Sequence, residues 1–307
     1  MRRKIPATHT LLCFEAAARH ESYTRAAQEL ALTQSAVSRQ ITTLESFLGI
    51  TLFRRTRHGV ALTERGADYA RQVGPWLQTL EQDTLDMMSS PGRSSTLKLA
   101  AVPTFATRWL IPRLPALAQL HPEITLHLET RTRPFMFADT SIEAALYAGT
   151  ADQVANWAGT RALRLLSEDM VPVCSPQFLG KRQTLTAQAI AELPLLQQST
   201  RPDSWRRWFD AMGVEAPQAM AGPRFELFSM TAAAACCAMG VALVPRLLVA
   251  PELARGELVV ACHQALPGER AYYLVCPQQE DARPALSAFT AWLLRTVQAD
   301  AAPDDKG

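Results

Sequence analysis

The sequence predicts an α/β protein with an all-α head, a long linking helix and a C-terminal body of alternating strands and helices. Three observations predict it. Short amphipathic helical segments fill the first fifty residues. An apolar seam of near-heptad spacing follows over residues 70–87. From Leu97 onward, short apolar runs alternate with helical patterns and are punctuated by Pro and Gly.

Composition bounds the function. A chain of 307 residues suits two or three domains, and 48% hydrophobic against 20% charged residues is an ordinary globular balance. Residues 1–66 hold ten cations against five anions, while the rest holds 21 against 24, so a net charge of +2 hides a basic head. Such a head suits a polyanion partner, or is simply a solvated face. The six cysteines (Cys13, Cys174, Cys236, Cys237, Cys262 and Cys276) form no C-x-x-C pair. They read as small buried hydrophobes in a reducing compartment, with a redox sensor as the alternative. Arg2, Arg3 and Lys4 look like the start of a signal peptide, but Leu11–Phe14 is too short for its apolar core and Glu15 ends it. No stretch approaches the roughly 18 apolar residues of a membrane span, so a cytoplasmic protein without membrane contact is expected. No G-x-S-x-G, H-E-x-x-H, P-loop or G-x-G-x-x-G motif occurs. Cys262 and His263 are neighbours in an expected strand, where their side chains point apart. An enzyme is not expected, nor a cofactor or metal.

In the head, Leu11, Leu12, Phe14, Ala17 and Ala18 have helical spacing. A second helix passes through Arg25, Ala26, Ala27 and Leu30, capped by Ser22 or Thr24. A third passes through Val37, Ile41, Leu44 and Leu48 on one face and stops at Gly49. Two short helices joined by three or four residues make a helix-turn-helix. The opposite face of the third helix carries Gln34, Ser35, Ser38, Arg39 and Thr42. These groups suit base edges and phosphates of a major groove, or water alone. Leu52–Leu62 reads as two strands around a basic turn, and Arg54, Arg55, Arg57 and His58 make it a wing that suits backbone phosphates.

Thr63 caps the next helix. Its seam Ala70, Val73, Leu77, Leu80, Thr84 and Met87 pairs two helices or packs on its own domain. Pro75 predicts a kink there or a fresh start. The helix should end near Ser89-Ser90-Pro91-Gly92.

In the body, strands are expected at Leu97–Val102, Ile124–Leu128, Met170–Val173, Leu195–Gln197, Val241–Val244, Leu258–Val260 and Tyr272–Cys276, in parallel sheets. Ligands of such sheets bind beyond the carboxyl ends of strands. That selects Pro103, Thr104 and Phe105, then Arg131 and Thr132, then Gln198, Ser199 and Thr200, with helix capping as the alternative for each hydroxyl. Arg131, Arg133 and Arg201 are able to clamp an anion or are merely solvated.

The stretches Phe14-Glu15-Ala16-Ala17-Ala18, Ser22-Tyr23-Thr24-Arg25-Ala26-Ala27 and Leu32-Thr33-Gln34-Ser35-Ala36-Val37-Ser38-Arg39-Gln40-Ile41 resemble the head of LysR-type transcription regulators. So do Leu44-Glu45, Leu48-Gly49, Leu52-Phe53-Arg54-Arg55 and Leu62-Thr63-Glu64-Arg65-Gly66. The body resembles that family's effector domain, similar in fold to periplasmic binding proteins. Its echoes are Leu166, Glu168 and Asp169, then Val171-Pro172-Val173-Cys174-Ser175-Pro176 and Met239-Gly240-Val241-Ala242-Leu243-Val244-Pro245. They look like the branch containing glycine-cleavage and β-lactamase regulators. Glu143-Ala144-Ala145-Leu146-Tyr147 and Trp157-Ala158-Gly159 depart from the pattern of many relatives, in segments able to line a cleft.

The resemblance implies a winged helix-turn-helix over residues 1–62, a linker and dimerisation helix over 63–90 and a hinge over 91–95. It implies an effector-binding domain over 96–300, with one subdomain from 96–166 and 267–300 and the other from 167–266, then a tail over 301–307. Double-stranded DNA would meet Thr24, Thr33, Gln34, Ser35, Ser38, Arg39 and Thr42, and the wing residues Arg54, Arg55 and Arg57. A small effector, anionic if the arginines serve it, would meet Pro103, Thr104, Phe105, Arg131, Thr132, Tyr147, Gln198, Ser199, Thr200 and Phe228. The seam would pair two copies, with a dimer of dimers and RNA polymerase as further partners. A solute-binding transport protein is the competing reading of the body alone, and the basic head opposes it.

Overall fold

The computed structural model describes residues 4–57, 59–89, 95–266, 268–278 and 283–301. Arg2, Arg3, His58, Ser90, the hinge residues 91–94, Pro267 at the subdomain border and the tail from residue 302 lie outside the described residues, as do the side chains of Met87 and Ser95. The chain divides into two compact units, Met1–Arg93 and Ser94–Gly307.

The first unit holds α1 (Thr8–His20), α2 (Tyr23–Glu29), α3 (Gln34–Leu48), the hairpin β1 (Phe53–Thr56) and β2 (Gly59–Leu62), and α4 (Glu64–Ser89). Ser22, not Thr24, caps α2 by accepting the Arg25 N–H at 3.3 Å. Thr33 caps α3 by accepting the Ala36 N–H at 3.2 Å. Gly49 ends α3 in the left-handed region at φ 70°, where its N–H reaches the Glu45 carbonyl at 2.8 Å. Phe14, Ala17, Ala26, Val37, Leu44 and Leu52 are wholly buried and fix the crossing of the three helices. Small alanines on α1 and α2 permit the close approach. The helix α4 runs unbroken through Pro75, so it does not begin afresh there.

The second unit has two five-stranded sheets. One joins β3 (Ser95–Ala101), β4 (Ile124–Thr130), β5 (Ala144–Thr150), β6 (Thr160–Ser167) and the late strand β12 (Arg270–Pro277), in the order β4-β3-β5-β12-β6. The other joins β7 (Met170–Cys174), β8 (Leu195–Gln198), β9 (Arg224–Phe225), β10 (Val241–Pro245) and β11 (Val259–Val260), in the order β11-β7-β10-β8-β9. Neither sheet is all-parallel, contrary to the expectation. β3 runs parallel to β4 and β5, but β12 is antiparallel to β5 and β6. β8 runs parallel to β9 and β10, while β7 is antiparallel to β10 and β11. The reason is the chain path. The chain leaves the first sheet after β6 and returns only at β12, so the returning strand enters from the crossing end. The outward and returning segments pair where they cross, through Met170 and Leu266 (2.9 and 3.1 Å) and the Glu168 N–H on the Arg270 carbonyl (3.1 Å). Cys262 and His263 lie beyond β11, not in a strand.

Candidate functional sites: a basic winged head and a charged cleft

On α3, burial of Val37, Ile41 and Leu44 turns the opposite face outward. Thr33, Gln34, Ser35, Arg39 and Thr42 are exposed and Ser38 is half-buried. The Thr33 hydroxyl caps the helix and also meets the Ser35 hydroxyl at 3.1 Å, while the Thr42 hydroxyl donates to the Ser38 carbonyl at 3.0 Å. Gln34 and Arg39 have no side-chain partner among the described residues. Thr24 is exposed on α2. Along β1 only Phe53 is buried, and Arg54, Arg55 and Arg57 all reach solvent.

Glu45 fixes the wing to α3. One oxygen of its carboxylate accepts the N–H of Leu52 at 2.7 Å and of Phe53 at 3.2 Å. Tyr23, packed edge-on against Phe53 at 5.5 Å, has its phenol pushed up to about 12 by burial and then by the Glu45 charge. Glu45→Ala leaves two amides without their acceptor. It is expected to destabilise the head by about 2–3 kcal/mol and to weaken DNA binding, read from denaturation midpoints and gel shifts.

A surface cluster steadies α1 against α2. Arg19 bridges Glu15 (3.1 Å) and Glu29 (2.5 Å), and His20 meets Glu29 at 2.6 Å. Hydrogen bonds from Arg19 and then His20 pull the Glu29 carboxyl down to about 2 from its ordinary 4.5. A depressed carboxyl contributes stability above its ordinary value that fades as pH falls toward 2. Glu29→Gln should therefore separate from the parent in thermal midpoint at neutral pH and converge with it near that acid limit, by a small amount because the cluster is exposed.

The α4 seam divides. Val73 is buried, and Ala70 and Leu77 are partly buried against the head's own core. Leu80 and Thr84 are exposed. Among the described side chains, the exposed large apolar residues of α4 are Trp76, Leu80, Leu85 and Met88, at 71%, 52%, 52% and 73% exposure. Within one chain the first half of the seam thus packs on the head's own core, while Leu80 and Thr84 face outward. The heptad spacing could not separate the two because α1 offers α4 the same kind of apolar face.

In the second unit a cavity of about 80 Å³ opens beyond β3 and β8. Pro103, Thr104, Phe105, Thr132, Gln198 and Thr200, which the strand-end rule selects, line it together with Phe228, which the family resemblance adds. Its floor is an aromatic stack. Phe105 lies on Trp109 at 4.9 Å and on Tyr272 at 4.3 Å. The Tyr272 hydroxyl donates to Glu168 at 3.4 Å, and burial, with the Glu168 charge, raises that phenol so that it stays protonated. Glu168 is 3% exposed and receives Arg201 at 3.2 Å, while Arg270 Nε lies 3.6 Å from its other oxygen. The Gln198 amide is held by the Thr231 hydroxyl (2.9 Å), the Thr200 hydroxyl (3.1 Å) and the Glu226 carbonyl. The Thr104 hydroxyl accepts the Ser229 N–H at 3.3 Å.

Three expected residues stand apart. Arg131 is exposed, pairs with Glu129 at 3.3 Å and covers Phe135. Tyr147 packs edge-on to Trp157 at 5.3 Å on the other face of its sheet, because strand side chains alternate and its neighbour Ala148 takes the cleft side, although its phenol still reaches Arg270. Ser199 is exposed, and its N–H pairs with the Phe225 carbonyl at 2.7 Å. Glu143, Ala158 and Gly159, from the two departing segments, line a separate cavity of about 500 Å³ rather than the cleft. Sequence reasoning missed Glu168, Arg270 and Tyr272 as cleft residues and left Arg201 between an anion clamp and a solvated side chain. The available signal was a charge at or within two residues of the start of each of two apolar strands, Met170–Cys174 and Arg270–Pro277.

None of the six cysteines is in a disulfide among the described residues, and four are buried. Burial raises the Cys13 thiol and pushes Cys174 up to about 11, away from thiolate reactivity. No described helix is long and apolar enough to cross a membrane.

Comparison with known proteins finds a match for each part of the chain. Residues 8–67 match the model of bacterial regulatory helix-turn-helix proteins of the lysR family, and residues 90–298 match the LysR substrate binding domain. The chain is similar to the glycine cleavage system transcriptional activator of Escherichia coli K12, at 33% identity over 98% of this chain and 97% of that one. It is similar to the transcriptional activator AmpR of Rhodobacter capsulatus, at 34% identity over 93% and 95%. Among solved structures, the effector domain of AmpR from Pseudomonas aeruginosa matches with a TM-score of 0.59 and 28% identity, covering 67% of this chain and 98% of that one.

Proposed function

The chain belongs to the LysR family of DNA-binding transcription regulators, and on that premise we propose that α3 enters the major groove while the β1–β2 wing grips the adjoining backbone. Gln34, Ser35, Ser38 and Arg39 would read base edges, Thr24, Thr33 and Thr42 would flank them, and Arg54, Arg55 and Arg57 would hold phosphates. The observation that supports this best is the pairing of Gln34 and Arg39 on α3, whose side chains have no partner among the described residues, with a solvent-facing arginine wing tied to the same helix by Glu45.

The effector of this family's second domain would occupy the cleft beneath Thr104, Phe105 and Phe228. Two copies would pair through the exposed residues of α4 that follow Leu77, with the heads on half-sites roughly 34–36 Å apart or multiples of that. A dimer of dimers and contact with RNA polymerase are part of the same reading, as are action in the cytoplasm and the lack of a catalytic role. Effector binding would shift the balance between two arrangements of the assembly by its differential affinity for them. Footprinting of the full-length protein on its own upstream intergenic DNA, across a salt series, tests the core claim. One protected site whose affinity falls with salt is expected. Indifference to sequence in a genome-wide binding selection would overturn it.

A further inference from the structure

We propose that Arg201 and Arg270, flanking Glu168 where the chain crosses between the two sheets, form an anion-receiving end of the cleft, and that the ligand is a small monocarboxylate with a short apolar body. This rests on reading the cleft as the effector site. Two guanidiniums face one buried carboxylate, which leaves one positive charge uncompensated. Tyr272 is a neutral donor and does not change that balance. Glu226 lines the cleft but is exposed, and Asp169 accepts the Gly268 N–H at 3.3 Å. Asp203 and Glu269 line a second pocket, which Glu168, Arg201 and Arg270 also line, and there Glu269 pairs with Arg207. Arg270 donates Nη2 to the Ala148 carbonyl at 2.7 Å, but its Nε is buried without a hydrogen bond. Burial and the Arg201 charge both push its guanidinium below the ordinary value, while Glu168 and then the Tyr147 phenol that hydrogen-bonds it pull it back. A desolvated cation with an unanswered donor is where a further anion gains most.

The size and lining of the cavity select among anions. About 80 Å³ admits roughly five to eight water-sized groups. Phe105, Phe228 and Leu248 supply apolar wall. A phosphate monoester near neutral pH carries close to two charges and overshoots the single positive charge. A monocarboxylate matches it. The position also supplies a response. Glu168 precedes β7 and Arg270 begins β12, so the cluster sits on both crossing segments. An anion that competes with Glu168 for the arginines alters the pairing at the points about which the two sheets would move.

Full-length protein, at constant ionic strength, is titrated with propionate, with propionamide as the uncharged isostere and with inorganic phosphate, and the thermal midpoint is followed. Propionate should raise the midpoint saturably, and propionamide should not. Arg201→Gln and Arg270→Gln should each weaken the propionate response about tenfold or more. Glu168→Gln gives the test a sign. Removing the internal competitor should tighten propionate binding about tenfold, whereas a purely structural carboxylate would lower the midpoint and leave anion affinity unchanged. If Arg270→Gln does not fold, Arg201→Gln and Glu168→Gln carry the test. Equal responses to acid and amide, tighter binding of phosphate than of propionate, or no gain in Glu168→Gln would each overturn the assignment. Gel shifts on the same proteins separate the two levels. Specific DNA binding with a failed anion response removes only this site, and absence of specific DNA binding in the parent removes the reading beneath it.

Discussion

Gly66→Ala is expected to lower the stability of the head by about 2–3 kcal/mol, although it adds one methyl group. A β-carbon at this position would lie 2.1 Å from the Leu52 carbonyl oxygen and 3.0 Å from its carbon. Both are backbone atoms, so no rotamer change relieves the clash. The same carbonyl accepts the Thr63 N–H at 2.9 Å and the Thr63 hydroxyl at 3.3 Å. Thr63 in turn caps α4 by accepting the Gly66 N–H at 3.0 Å. Displacing Leu52 would also strain its N–H on Glu45. One methyl therefore disturbs the wing, the α4 cap and the α3 anchor together. Gly49→Ala is the control. It has the left-handed φ of 70° but open space around the added carbon, so it should cost about 1 kcal/mol. Hydrogen exchange of α3 and α4 amides reads both. Protection should fall roughly 30- to 150-fold for Gly66→Ala and about fivefold for Gly49→Ala, with the second unit unchanged. Equal losses in the two variants would show that the backbone clash is not limiting.

The head was legible because its information is local. Thr33 and Gly49 mark the ends of α3, and Val37, Ile41 and Leu44 mark its buried face, all within one stretch of sixteen residues or so. The strand-end residues of the cleft were legible for a similar reason, since a strand's carboxyl end is visible in its own sequence. The charged floor was not. Glu168 and Arg270 lie about a hundred residues apart, and they meet only because the chain leaves one sheet and returns to it antiparallel. Periodicity carries no trace of that crossing. Tyr147 failed through parity, because the alternation was clear but not which face met the cleft. The seam on α4 could be read two ways because helix-on-helix burial looks the same in sequence whether the partner is α1 or a second copy.

Arg39→Ala and removal of the wing arginines should both weaken DNA binding, and in distinguishable ways. A guanidinium on the exposed face of α3 is placed to donate two hydrogen bonds to a guanine edge, an interaction worth about 1–3 kcal/mol of discrimination. Arg39→Ala should therefore cost roughly 5- to 150-fold on the preferred site and far less on random DNA, flattening the preference at one base position. Arg54, Arg55 and Arg57 stand on a solvent-facing ribbon whose inward residue is Phe53, so their reach is toward phosphate. Removing one arginine–phosphate pair should reduce the slope of log affinity against log salt by about 0.9 and weaken specific and random DNA alike. The triple alanine variant should then lose close to three times that slope if all three touch phosphate. Affinity measured on both DNAs across a salt series resolves the two roles. A change in salt slope for Arg39→Ala without loss of preference would move Arg39 to the backbone and leave base reading to Gln34 and the serines beside it.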